Sequence, residues 1–132
     1  MEKVLKKLQY KDNKKVNATV LNAPEAIEEE FLKFDFKNKL SFKSSFNFTI
    51  LFIRNKSELD KHLEKTLKFV EYDSLFWIAY PKGTSKIKSD VNRDKLWDLV
   101  LPLNLRPVSQ IAIDNDWSAL RFRPVDKVKN KK

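Results

Sequence analysis

The 132-residue chain has no cysteine, one histidine and one glycine. Without cysteine there are no disulfides, no thiolate nucleophile and no Cys-ligated zinc. A glycine-rich phosphate loop needs several positions free of a Cβ, and Gly83 alone cannot supply one. The single histidine, His62, falls on the polar side of a helical pattern between Leu59 and Leu63, and no hydroxyl is placed by sequence to act with it as a nucleophile. No apolar run is long enough for a membrane-spanning helix; Phe48–Ile53 is strand-sized and broken by Thr49. No apolar stretch precedes Asn17 to form a secretory signal. A soluble, cytoplasmic protein with no membrane partner is expected. No linker or internal repeat divides the chain, which fits one domain.

Hydrophobic residues make up 42%, including ten Phe, three Trp and three Tyr, so a compact core can form. The formal charge is +9, but it is unevenly placed. Residues 1–15 hold six Lys against Glu2 and Asp12, and residues 126–132 hold four Lys against Asp126. Seven of the nine excess charges therefore sit on the two ends, and residues 16–125 carry 17 basic and 15 acidic side chains. This divides the chain into a basic N-terminal segment with a short helix (1–15), a single α/β domain (16–125) and a basic disordered tail (126–132). Lys outnumbers Arg 22 to 5, whereas phosphate and base recognition favours the planar Arg fork. Weak nucleic-acid contact through the basic ends is the most that this charge implies.

Hydrophobic spacing predicts a short amphipathic helix over 2–9 and a first strand over Val16–Asn22. Pro24 and the glutamates after it suit the start of a helix over 24–33 that buries Ala26, Ile27 and Phe31. Leu40–Lys43 is a short strand candidate, and Phe46–Ile53 reads as a central strand buried on both faces. Ser57 and Asp60 resemble a capping box for a helix over 57–70. A second buried strand, Leu75–Tyr80, leads into the polar loop Pro81–Asp90. Ser89 or Asp90 would cap a helix over 92–101 with Leu96, Trp97, Val100 and Leu101 facing inward. Val108–Ile113 and Trp117–Phe122, joined by Asp114-Asn115-Asp116, form an antiparallel hairpin. The fold expected is α/β: a small three-layer sandwich, its sheet mostly parallel, with helices on both faces and that hairpin at the C-terminus.

Two segments resemble a bacterial domain family of unknown function: Trp77-Ile78-Ala79-Tyr80-Pro81-Lys82, and Asp114, Trp117, Ser118, Leu120 and Arg121. They look like that family's W-x-A-[WY]-P-K strand end and its D-x-x-W-S-x-L-[RK] segment. Val20–Glu25 and Ile50–Leu59 resemble its first and middle strands, with Asn22 standing where the family more often has glycine. The resemblance implies a shared fold and surface but no activity. The topology is also distantly similar to S-adenosylmethionine-dependent methyltransferases. The first turn here, Asn22-Ala23-Pro24-Glu25, has no glycine and carries a Pro and an acid, a poor seat for that cofactor. No cofactor or metal is expected.

Ligands of open α/β sheets collect beyond the carboxyl ends of the strands. Asn22, Arg54 and the Tyr80–Asp90 loop follow strands that would run the same way. Tyr80, Lys82, Thr84, Ser85, Lys86 and Lys88 could offer donors to an anion there, and Gly83 a positive-φ position for close approach. Asp114, Trp117, Ser118 and Arg121 complete the candidate set, although Asp114 and Asp116 equally suit a hairpin turn and Trp117 the core. No catalytic residues are assigned. The reading is a non-catalytic binding or regulatory module for a small anionic ligand or a protein partner around Tyr80–Lys88. A degenerate methyltransferase-like or nucleotide-binding enzyme, with Lys82 and Asp114 as suspects, is the alternative.

Overall fold

The computed structural model describes residues 2–11, 16–40 and 45–127. In chain order it has α1 (Glu2–Lys7), β1 (Ala18–Leu21), α2 (Glu25–Leu32), β2 (Phe46–Phe52), α3 (Lys56–Leu67), β3 (Val70–Pro81), α4 (Arg93–Val100), β4 (Leu105–Ala112) and β5 (Trp117–Pro124). Short 3-10 turns cover Leu101–Leu103 and Val125–Lys127, the latter taking in the first two residues of the basic tail. The strand candidate Leu40–Lys43 falls mostly outside the described residues. Among the described residues no helix is long and apolar enough to cross a membrane.

The five strands form one sheet in the order β1-β2-β3-β5-β4. β1, β2 and β3 are parallel, whereas β5 is antiparallel to both β3 and β4. The expected C-terminal hairpin is present, but a mostly parallel sheet is not: the hairpin inserts its second strand beside β3, and the sheet is mixed. β2, apolar except at Asn47 and Thr49, has a neighbour on each side and no exposed residue.

Alternation along the strands sends apolar side chains to two separate clusters, one per face. On the first face Val20, Phe48, Ile50, Phe52, Trp77 and Ala79 meet Leu5 and Leu8 from the N-terminal segment and Phe31 of α2. The rings of Phe31, Phe36, Phe48 and Tyr10 pack edge-on or tilted, with centroids 4.9 to 5.4 Å apart. The Trp77 indole N–H donates to the Leu8 carbonyl at 3.2 Å, tying the first segment to the sheet. On the second face Leu51, Ile53, Ile78, Tyr80 and Leu120 meet Leu59 and Leu63 of α3 and Leu96 and Val100 of α4.

α2 and α3 thus lie on opposite faces although β1, β2 and β3 step across the sheet in one direction. Two successive crossovers of this kind would have opposite hands, against a near-universal preference for the right hand. The chain resolves this at Lys37, which bridges Thr19 in parallel along the free edge of β1. Lys37 N–H donates to the Ala18 carbonyl at 2.9 Å, and Val20 N–H to the Lys37 carbonyl at 2.8 Å. The chain therefore first steps outward over one face. Leu40, three residues on, packs against the cluster of the other face.

Several local expectations are corrected. β3 begins at Val70 rather than Leu75, because Asp73 takes a positive φ of 55° and absorbs an irregularity in the pairing with β2. β4 begins at Leu105; as an edge strand it tolerates Pro107, whose missing N–H faces no neighbour. The caps are asparagines: Asn55 Oδ1 accepts from Glu58 N–H and Asn92 Oδ1 from Lys95 N–H, each at 2.9 Å, not Ser57, Ser89 or Asp90. In α2 only Phe31 is fully buried and Ala26 is exposed; in α4 Leu96 and Val100 are buried with Leu99 packed beside them, while Trp97, and Leu101 just beyond the helix, are exposed.

Candidate functional site

β1, β2 and β3 end along one edge of the sheet, as their parallel pairing requires. The ends of β1 and β2 are closed by the protein itself. Asn22 sits at a φ of 59°, a left-handed conformation that asparagine tolerates better than most residues with a Cβ. Its Nδ2 donates to the Phe52 carbonyl and to Glu58 Oε1, both at 3.0 Å. Glu58 also accepts from Arg54 N–H at 2.9 Å and pairs with the Arg54 guanidinium at 3.3 Å. Where a methyltransferase-like fold would admit its cofactor, this chain has a knot of its own side chains.

The end of β3 is open. A cleft of about 630 Å³ lies between Tyr80–Gly83, the segment Ser89–Arg93 with Lys95, and Gln110 and Ser118 of the hairpin. That size falls within the range of small-molecule sites. Register builds it: Tyr80 pairs directly with Ser118, so both side chains leave the sheet on the α4 face. Tyr80 is 4% and Ser118 6% exposed as whole residues, and among the described residues neither hydroxyl has a hydrogen-bond partner, which leaves both open to whatever fills the cleft. Burial, above all, raises the Tyr80 pKa, with Arg93 opposing and Asp94 adding to the rise, so the phenol is a neutral donor at physiological pH.

The start of α4 forms the opposite wall. A helix leaves its first N–H groups unpaired, and Asn92 satisfies only that of Lys95. Lys82, Arg93 and Lys95 bring three cations to the cleft, none held in an ion pair among the described residues. The nearby Asp90 carboxylate is engaged, accepting from Lys56 N–H at 2.8 Å.

Of the residues singled out from the sequence, Tyr80, Lys82, Gly83 and Ser118 come together in this cleft. Gly83 does so without the special backbone foreseen for it: its φ is not positive, and a Cβ there would meet nothing within 4 Å. Ser85 and Asp114 serve the loops. Ser85 Oγ donates to Asp116 Oδ1 at 2.9 Å and accepts from Ile87 N–H. Asp114 Oδ1 accepts from the N–H groups of Asp116 and Trp117 at 2.8 Å, a side-chain turn. Trp117 is buried on the other face, its ring 5.1 Å from Phe52. Arg121 also lies on that other face, reaching Gln9 at 3.4 Å. Arg93, Lys95 and Gln110 were not foreseen; a basic residue directly after a capping asparagine was the available signal for Arg93.

His62 is half-buried on α3, away from the cleft, and burial followed by Lys65 and Lys61 lowers its pKa. Among the described residues no three His, Cys, Asp or Glu side chains are grouped to hold a metal. No family model, curated protein or solved structure matches the chain.

Proposed function

We propose that the chain is a cytoplasmic binding or regulatory module that holds a small anionic ligand, of phosphomonoester type, in the cleft between β3 and α4. The observation that carries this reading is the pair of hydroxyls of Tyr80 and Ser118, side by side on the cleft and without a hydrogen-bond partner among the described residues. A ligand oxygen that replaces water on these hydroxyls gains about 0.5–1.5 kcal/mol per hydrogen bond. Three unpaired cations and the positive end of α4 favour a negative group at the same place. No base, nucleophile or metal set accompanies them, so retention rather than turnover is the chemistry on offer. The closed ends of β1 and β2 weigh against the methyltransferase-like alternative. The α/β layers, one helix pair per sheet face, fit a three-layer sandwich. They also fit membership of the domain family that the Trp77–Lys82 and Asp114–Arg121 segments resemble.

A thermal-shift panel of inorganic phosphate, sugar phosphates, nucleotides and S-adenosylmethionine tests the reading. A phosphomonoester at a hundredfold excess over Kd stabilises by about 2.7 kcal/mol, which is a readily measured rise in Tm. Arg93→Ala and Ser118→Ala abolish that rise while leaving the unliganded Tm nearly unchanged. A panel with no shift, or a shift that survives both substitutions, overturns the proposal.

A further inference from the structure

The sheet carries a second polar constellation, on the face away from the cleft and independent of it. The apolar cluster on this face ends at the register pair Ile111 and Ala119. The next pair along the hairpin is Ser109 and Arg121, and beyond an irregularity at Val108 comes Arg106 opposite Arg123. Three of the chain's five arginines thus stand together on two adjacent strands. Composition hid this, because lysines dominate everywhere else.

Their partners are too few. Asp73 takes Arg123, accepting from Nε and Nη2 at 2.9 Å each. Arg121 has only the long contact to Gln9, and Arg106 has no partner among the described residues. The Nε atoms of Arg106 and Arg121 and the Oγ of Ser109 are buried without any hydrogen bond. Burial first, and the like charge of Arg123 second, lower the Arg121 pKa. The hairpin therefore holds three hydrogen-bonding atoms that the described residues leave unpaired.

Further observations indicate which acceptor. Both lysine-rich ends come to this place: Lys11 lines one groove with Arg121 and Gln9, and the charge of Lys127 bears on Asp73. In sequence, Lys14 and Lys15 follow the first and Lys129, Lys131 and Lys132 the second. Among the described residues, Lys11 and Lys127 from the two ends thus meet Arg106 and Arg121 of the hairpin on one face, as a polyanion requires. Tyr72 lies on the same groove, 66% exposed, its hydroxyl donating to Asp126. Glu71, Asp73 and Asp126 border the β3 side, and β4 carries no acid, so the basic track runs toward β4.

We infer that this face binds the phosphodiester backbone of a single-stranded nucleic acid. Arg106 and Arg121 grip phosphates with their forks, as lysines cannot. Ser109 adds a hydrogen bond, and Tyr72 offers a base a stacking surface. Arg106 and Arg121 are diagonal neighbours on adjacent strands, a spacing of roughly 7–8 Å that is close to the separation of successive phosphates in an extended strand.

Fluorescence anisotropy with a labelled oligouridine, at about 50 and about 200 mM salt, tests this on the full chain. Arg106→Ala combined with Arg121→Ala weakens binding at least tenfold and lowers the salt slope by about two. Tyr72→Ala weakens it several-fold. Lys61→Ala combined with Lys65→Ala removes the same charge from α3, against the other face, and leaves binding unchanged. If the double alanine variant does not fold, Arg106→Lys with Arg121→Lys keeps the charge, loses the fork and gives an intermediate loss. No binding by the wild type at the lower salt overturns the inference. So does an equal loss in the α3 variant, or competition by polyglutamate as effective as that by unlabelled oligouridine, which would assign the face to an acidic protein.

Discussion

Single residues in this chain act through backbone geometry as much as through chemistry. Asn22 is the clearest case, because it combines a left-handed φ with a side chain that ties β1 to β2 and to α3 through Phe52 and Glu58. Asn22→Gly keeps the conformation and loses two hydrogen bonds, whereas Asn22→Ala loses both bonds and adds the strain of a Cβ at positive φ. Denaturant unfolding therefore ranks wild type above Gly above Ala, with the alanine variant down by about 2–4 kcal/mol. In the sequence Asn22 reads as the end of the first strand and not as a left-handed residue, since φ is not legible from residue type when asparagine can serve either way. Tyr80 and Ser118 show the same limit. Their pairing depends on a register between positions far apart in sequence, and no local pattern announces it.

Elements were legible wherever burial was continuous. Phe46–Phe52 and the strand core Leu75–Tyr80 stand out because β2 and β3 are covered on both faces, so nearly every position is apolar. The helix ends were not, because serine, aspartate and asparagine all cap well and two or three of them cluster before α3 and α4. Only the fold selects Asn55 and Asn92. Asn92→Ala should cost about 1 kcal/mol by thermal or denaturant melting, and the same substitution should weaken any anion held at the start of α4, since the first turn frays without its cap. A melting curve unchanged by the substitution would show that another group takes over the Lys95 N–H. The arginine face belongs to this scale too: Arg106, Ser109, Arg121 and Arg123 become neighbours only once the hairpin register, with its extra residue at Val108, is known.

At the scale of the molecule, the N-terminal segment is part of the core. Leu5 and Leu8 are buried against the sheet, Tyr10 donates its hydroxyl to the Phe34 carbonyl at 2.9 Å, and Trp77 holds the Leu8 carbonyl. Leu8→Ala should cost about 2–5 kcal/mol and lower one cooperative transition, monitored by tryptophan fluorescence and far-ultraviolet circular dichroism together. A separate early transition would mean that the segment docks on an already folded domain. The two rims of the sheet are finished differently, and this bears on how the protein keeps to itself. Lys37 occupies part of the outer side of β1, while on β4 a proline and an extra residue interrupt the row of free amides. Neither border offers a long, flat template on which a foreign strand can zip, so a chain with so apolar a centre remains guarded against fibril-like stacking.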